Sequence, residues 1–219
     1  MWRPWVMSIQ IVNATLETLE MVFVSGFVAV LGGLPLGVLL WLCAPQNLWA
    51  KPKLYFILSL IVNAARSIPF IILMIAIIPL TRLIMGTSIG VHAVLVPLSF
   101  AAIPFFARTV EMAIQEVPVG LIEAARSMGA SNYQIVRKVL IPESLPGIVG
   151  GLTLTLVSLV GYSAMAGFNG SGGLGTLAIN HGYQRYDTQV ILITVFILII
   201  LVQFIQSTGD YVAKKLLSH

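Results

Sequence analysis

Most of the chain consists of long apolar stretches without a charged side chain. Four stretches contain no Asp, Glu, Lys or Arg: 21–50, 83–107, 144–184 and 188–209. A fifth, 54–80, is interrupted only by Arg66. Because a helix needs about 20 mostly apolar residues to cross a bilayer, the pattern predicts five membrane spans. We place them at about 17–42, 55–80, 89–111, 146–167 and 189–212.

The stretch 144–184 is long enough for two spans, but its second half is rich in glycine. Residues 168–175 read Phe-Asn-Gly-Ser-Gly-Gly-Leu-Gly, and so many glycines disfavour a spanning helix. We therefore count one span here and expect a mobile external loop after it. The loop fits the G-x-G-x-x-G pattern, but it follows a membrane helix rather than a strand, which argues against a dinucleotide site.

The composition favours a membrane protein and excludes several other classes. Hydrophobic residues make up 58% of the chain and charged residues 9%, against about 45–50% and about 25% in soluble chains. A net charge of +4 is too dilute for a nucleic-acid-binding surface. One cysteine, Cys43, excludes an internal disulfide, and the histidines are too scattered for a metal set. We therefore predict an all-α integral membrane protein, with one transmembrane domain over residues 1–219 and no metal or nucleic acid bound.

The Lys and Arg residues predict the orientation of the spans. Seven fall in segments on one side of the membrane: Lys51, Lys53, Arg126, Arg137, Lys138, Lys214 and Lys215. Three fall on the other side, Arg3, Arg82 and Arg185, while Arg66 and Arg108 lie within or at the end of spans. Because basic residues concentrate in cytoplasmic segments, we expect the N-terminus outside and the C-terminus in the cytoplasm.

Residues 111–143, between the third and fourth spans, form a polar region that predicts a helix-turn-helix. Its charged residues are Glu111, Glu116, Glu123, Arg126, Arg137, Lys138 and Glu143. Pro118 suits the first position of a helix, and Gly129 is placed to end it. Ser131 and Gln134 form a capping box that starts a second helix, which Pro142 would stop.

The predicted helix-turn-helix combines apolar faces with a ridge of small side chains. The apolar faces consist of Leu121, Ile122, Ala125 and Met128 in the first helix and Ile135, Val136, Val139 and Leu140 in the second. The ridge consists of Ala124, Ala125, Gly129 and Ala130. Small side chains let another protein approach the backbone closely, so a docking site is one interpretation. The other is an amphipathic connector that lies on the lipid headgroups.

The same residues resemble the EAA loop of ABC importer permeases. Glu123-Ala124-Ala125 is followed after three residues by Gly129, and later by Val139, Ile141 and Pro142. The family pattern is Glu-Ala-Ala, three residues, Gly, nine residues, Ile, one residue, Leu-Pro, so Val139 and Ile141 only exchange one aliphatic residue for another. Further segments resemble the permeases of methionine importers across nearly the whole chain: 66–70, 78–82, 86–90 and 161–165.

The resemblance implies the membrane-spanning subunit of an ATP-driven ABC importer for methionine. Its substrates are expected to be L-methionine and, beyond it, the D-isomer. Two permease copies would form a homodimer in a bacterial inner membrane and enclose the translocation pathway. Two copies of a cytoplasmic ATP-binding subunit would dock at the EAA loops, at about 113–143. The coupling residues would be Glu123, Ala124, Ala125, Gly129, Ala130 and Pro142. A periplasmic or lipid-anchored binding protein would deliver the methionine.

The chain itself carries no nucleotide-binding motif. A P-loop needs Gly-Lys followed by Ser or Thr, so that backbone amides and the lysine hold the phosphates. None of the lysines here follows a glycine. We therefore predict that the chain is not an enzyme and binds no cofactor, and that ATP and Mg²⁺ are bound by the partner subunit.

The fourth span carries one helical stripe of small and polar residues: Gly151, Thr155, Ser158, Tyr162 and Met165. One interpretation places the stripe along the dimer axis, where the last four residues would face the pathway. Tyr162 or Met165 would then close the pathway at rest. The alternative is close helix packing without a pathway role, because small residues are common where membrane helices meet.

Arg66 lies about a dozen residues into the second predicted span, where an unpaired charge is costly. It is therefore a candidate pathway residue. The alternatives are that it snorkels, or that it caps carbonyl groups where Pro69 distorts the helix, with Asn63 sharing its hydrogen bonds. Arg108 and Glu111 are spaced i,i+3 and are expected to form an ion pair.

The residues themselves leave three other functions to consider. The chain could serve an ABC importer for another small amino acid or a related small polar solute, since no side chain specifies a thioether. An ion-coupled secondary transporter would be expected to show inverted repeats and intramembrane carboxylates. No Asp or Glu lies in the middle of a predicted span, however, and no repeat is visible. A structural membrane scaffold is a third class.

Overall fold

The computed structural model describes residues 4–217, with side chains from Met7 onward. Arg3 and His219 therefore lie outside the described residues. The first six helices are α1 (Pro4–Cys43), α2 (Pro52–Ser67), α3 (Phe70–Ala76), α4 (Ile78–Met85), α5 (Val91–Gln115) and α6 (Val119–Ser127). They are followed by α7 (Asn132–Ile135), a wide π-helical turn (Val136–Leu140), α8 (Ile141–Ala166), a 3₁₀ turn (Gly167–Asn169), α9 (Gly173–Leu177), a second π-helical turn (Ala178–Tyr183) and α10 (Thr188–Leu217).

α5 is the central helix of the bundle. In its most apolar stretch 61% of the residues are buried, against 22% in α10. Leu98, Phe106 and Val110 of α5 lie in the main core, against side chains of α1, α3 and α8. Large apolar side chains are exposed on the outer helices, among them Phe27 of α1 and Phe204 of α10, as expected of surfaces that face lipid.

The five predicted apolar segments all occur as helices, but not all as single straight ones. Within the described residues four helices are long and apolar enough to cross a membrane. The bent pair α2–α3 gives a fifth span if the two helices are counted together. α1 begins at Pro4, well before the predicted start near residue 17, so the polar segment ahead of the first span is helical too. Thr15 and Thr18 there donate their hydroxyl protons to the carbonyls of Ile11 and Ala14.

The second predicted span, 55–80, is broken. α2 ends at Ser67, and α3 leaves it at an angle of 103°. The cause lies in Ile68 and Pro69: the proline ring disfavours a helical conformation of the preceding residue, and Ile68 is extended at φ −81° and ψ 124°. The expected distortion at Pro69 is therefore a full break, and the segment can serve as a span only as a bent pair of helices.

The second helix of the predicted helix-turn-helix does not end at Pro142. Asn132–Asn169 forms one helical segment of 38 residues, so this helix and the fourth span are continuous. The N–H of Ile141 donates to the carbonyl of Val136, five residues back. The backbone has therefore already widened before Pro142, and the proline stands at the beginning of α8, where its missing N–H does not stop the helix.

The glycine-rich segment after α8 is packed rather than a mobile loop. Leu174 is 0% exposed, and its N–H donates to Thr18 Oγ1 at 2.9 Å. The N–H of Gly173 donates to Glu17 Oε2 at 2.6 Å, and its φ of +73° is one that glycine adopts readily. Backbone groups freed by the turn are thus bonded to α1, which the glycine content alone did not indicate.

The close contact between α1 and α5 generates a prediction about stability. A methyl group on Gly37 would meet Val110 Cβ at 2.7 Å as well as the carbonyl of Ala107. We expect Gly37→Ala to destabilise the protein by about 1–3 kcal/mol, the usual cost of overpacking. Thermal unfolding of the purified protein in detergent measures the effect.

Gly150→Ala is the matched control, because a methyl group there meets nothing within 4 Å. It should leave the unfolding midpoint unchanged or raise it slightly, since alanine favours the helix. Equal midpoints for Gly37→Ala and the wild type would contradict the packing described.

Candidate functional site

The small side chains of the EAA motif line an open groove at one end of the bundle. We call it the EAA groove; its volume is about 500 Å³, and it is lined by Leu121, Ala124, Ala125, Met128, Gly129, Ala130, Gln134, Lys138 and Val139. Met128 at its rim is 87% exposed. Glu123 is exposed beside the groove. Of the small residues, Ala124 and Gly129 are exposed, while Ala125 and Ala130 are half-buried.

The local sequence fixes the turn between α6 and α7. Gly129 adopts φ +79°, and the N–H of Ala130 donates to the carbonyl of Ala125 at 3.0 Å, which is the hydrogen bond of a glycine-terminated helix end. Ser131 Oγ then accepts from the N–H of Gln134 at 3.3 Å, and Gln134 Oε1 accepts from the N–H of Ser131 at 2.8 Å. The predicted capping box is therefore confirmed.

The predicted apolar face of α6 was only partly right. Ile122 and Ala125 pack against the main core, whereas Leu121 and Met128 are exposed. Leu121 and Met128 are seven residues apart and so share one side of the helix. That side borders the EAA groove rather than the core, which leaves an apolar rim around the small residues.

The helical wall of the groove is packed against the bundle. Ile135 and Leu140 are buried in the main core, and Asn132 Nδ2 donates to the carbonyl of Leu48 in the turn between α1 and α2, at 3.4 Å. Pro142 is exposed at the start of α8 and does not line the groove.

The predicted ion pair at the same end of the bundle is confirmed and has a third member. Arg108 Nη1 lies 2.7 Å from Glu111 Oε2, and the hydroxyl of Tyr55 donates to Glu111 Oε1 at 3.1 Å. Glu111 is 5% exposed, so its charge is compensated by Arg108 and by this hydrogen bond. The cluster joins α2 to α5, and the contribution of Tyr55 was not visible in the sequence.

The structure divides the pathway stripe on α8 into two halves. Thr155 is 1% exposed and donates to the carbonyl of Gly151, while Gly151 lies against Thr109 of α5. This half serves helix packing, the alternative interpretation of the stripe. Ser158 and Tyr162 are only partly buried, and Met165 is 48% exposed, so the second half remains open to a partner or to water.

The structure brings Arg66 and Tyr162 to the same pocket. The pocket, of about 130 Å³, lies where α2 breaks. The Arg66 guanidinium carbon is 5.5 Å from the ring centroid of Phe105, and the rings of Phe70 and Tyr162 stack at 4.9 Å. Asn63 donates to Ser59 Oγ instead of sharing its hydrogen bonds with Arg66.

Sequence reasoning missed Phe70 and Phe105. Both follow a proline, but their spacing does not distinguish them from aromatic residues that face lipid. Among the described residues, no group of three or more His, Cys, Asp or Glu is arranged to hold a metal ion.

Comparisons with known proteins agree with the EAA resemblance. The model of the family "binding-protein-dependent transport system inner membrane component" matches residues 22–217. The probable D-methionine transport system permease protein MetI of Vibrio cholerae is 52% identical over 205 residues, which cover 94% of this chain and 91% of that protein. The D-methionine transport system permease protein MetI of Escherichia coli K12 is 58% identical over 157 residues, 72% of each chain.

A solved structure shows the same fold over the whole chain. A chain of the MetNI methionine ABC transporter, crystallised in an inward-facing conformation, is 51% identical, with a TM-score of 0.95 over 99% of both chains. The predicted relationship to the permeases of methionine importers is therefore confirmed. This chain is a multi-pass membrane protein that belongs to the family of binding-protein-dependent transport system inner membrane components.

Proposed function

We propose that the chain is the permease subunit of an ATP-driven importer for methionine, L- and D-isomers included. The observation that carries the proposal is the EAA groove. Its small residues lie on α6 and the following turn, and its other wall, Gln134, Lys138 and Val139, belongs to the helical segment that continues into a membrane span. A channel or an ion-coupled transporter has no use for a surface that receives force from an ATPase. The relatives named for methionine transport support this substrate over another small amino acid.

The working transporter contains several subunits. Two permease chains form a homodimer, and each EAA groove receives one ATP-binding subunit, which also binds the Mg²⁺. A binding protein delivers methionine from outside. The seven-to-three distribution of basic residues supports an outside N-terminus and a cytoplasmic EAA groove.

The geometry suggests how force reaches the membrane. When the ATP-binding subunits close, each moves the α6–α7 unit that it holds. The 38-residue helical segment Asn132–Asn169 is about 57 Å long at 1.5 Å per residue, which exceeds the thickness of the bilayer. A push on the groove is therefore delivered along α8 to Ser158, Tyr162 and Met165, whose movement opens the pathway.

Reconstitution tests the proposed function. The permease, its ATP-binding subunit and its binding protein are placed in liposomes, and uptake of labelled methionine is followed. We expect accumulation with ATP and none with a non-hydrolysable analogue. Uptake that persists without ATP, or accumulation of another amino acid but not methionine, would contradict the proposal.

Gly129→Glu should weaken attachment of the ATP-binding subunit about tenfold or more, because a charged side chain fills a groove built from small residues. The φ of +79° at Gly129 adds backbone strain, so Ala124→Glu, in the helical part of α6, provides a second variant without that strain. Co-purification with the ATP-binding subunit measures the effect.

Gly120→Glu is the matched control, since Gly120 is exposed on α6 outside the groove. All three variants should insert into the membrane at wild-type yield. Wild-type recovery of the ATP-binding subunit with Gly129→Glu and Ala124→Glu would show that the groove is not the docking site.

Single cysteines on α8 test the pathway. In a Cys43→Ala background, Ser158→Cys and Met165→Cys should react with a hydrophilic thiol reagent, because both positions are open and line an aqueous route. Thr155→Cys and Ser163→Cys should be protected, because both residues are buried in the subunit. Protection at all four positions would place Ser158 and Met165 against lipid or protein and defeat the pathway assignment.

A further inference from the structure

The pocket at the break between α2 and α3 has an unusual composition for the interior of a membrane protein. It is walled by four helices, with Arg66 on α2, Phe70 on α3, Ala101 and Phe105 on α5, and Tyr162 on α8. One side is therefore cationic and the others are aromatic or small. It is distinct from the EAA groove, which lies at the end of the bundle.

Arg66 cannot be accounted for as a lipid-facing residue. It is exposed on the subunit, and among the described residues its guanidinium has no hydrogen-bond or ion-pair partner, only the ring contact with Phe105. A charge against hydrocarbon is costly. Non-helical backbone, such as that at Ile68 and Pro69, is likewise tolerated only where it is buried in protein or lines a water-filled cavity. Both features favour a position on an aqueous route through the protein over a position against lipid.

The chemistry of the pocket matches the two ends of an apolar amino acid. A guanidinium presents a planar fork of donors that binds a carboxylate with two parallel hydrogen bonds. The stacked rings of Phe70 and Tyr162, 4.9 Å apart, offer an aromatic surface, and thioether sulfur packs favourably against aromatic rings. The pocket is small, at about 130 Å³, so it would receive one end of the ligand.

We propose that this pocket is an intramembrane binding site for the transported amino acid. Arg66 holds the carboxylate, and the thioether side chain lies towards the Phe70–Tyr162 pair. The inference rests on the proposed function, because it takes methionine as the ligand. It goes beyond that function by assigning a site in the membrane and a specificity-determining residue, so that the permease itself selects for a free carboxylate.

Thiol protection tests the site. Ile68 lines the pocket and is exposed, so Ile68→Cys in a Cys43→Ala background places a reactive group at its mouth. The permease in complex with its ATP-binding subunit is held in lipid nanodiscs, without binding protein. The rate of modification by a hydrophilic thiol reagent is measured alone, with saturating methionine, and with methioninol, which keeps the side chain but lacks the carboxylate.

We expect methionine to slow the modification about tenfold and methioninol to have little effect. Arg66→Gln should abolish protection by methionine, and Arg66→Lys should keep part of it, since lysine retains the charge but not the planar fork. Arg82→Gln is the matched control: Arg82 lies outside the pocket and donates to Ser88 Oγ, so full protection should remain.

Four results would overturn the site: an unreactive thiol at position 68, no protection by methionine, equal protection by methioninol, or protection that survives Arg66→Gln. The methioninol comparison needs no change at Arg66 and so holds even if Arg66→Gln fails to fold. ATP-driven methionine uptake by the wild-type complex is measured in parallel. Absent uptake would count against the proposed function, whereas normal uptake with any of the four results would count only against the pocket.

Discussion

The continuous helix from Asn132 to Asn169 is the constraint on which the rest of the account depends. It joins an exposed surface of small residues at one end of the bundle to Tyr162 and Met165 far along α8. The buried side chains of Ile135 and Leu140 pack its first turns against the bundle. A flexible connection at Pro142 would absorb a displacement of the EAA groove, whereas a helix passes it on.

The other helices give this segment something to move against. α5 is the most deeply buried of the long spans, and glycines let α1 approach it closely, with Gly37 against Val110. α2 and α3 provide a fixed break beside α8 rather than a straight span, which opens a pocket around Arg66. The subunit thus combines a buried central helix, one long helix that we propose receives force from the ATP-binding subunit, and a broken helix pair with Arg66 beside that long helix.

Local sequence signals predicted some features and missed others for identifiable reasons. The lack of charges predicted the apolar segments, and Ser131 with Gln134 predicted the capping box, because both effects act over a few residues. Pro142 and Pro69 look alike in sequence, yet the first is accommodated at a helix start and the second breaks a span. The difference depends on the π-helical turn before Pro142, which residue types do not reveal. The pairing of Arg66 with Phe105 and the packing of Leu174 onto α1 likewise depend on tertiary contacts.

The most direct test of mechanical coupling along this helix is the ratio of methionine transported to ATP hydrolysed when two glycines are inserted between Leu140 and Ile141. The same insertion after Tyr186, in the turn before α10, is the control. We predict that the first variant still binds its ATP-binding subunit and hydrolyses ATP, while the ratio falls at least about tenfold. The control variant should keep most of the wild-type ratio. An unchanged ratio with the insertion after Leu140 would contradict the account.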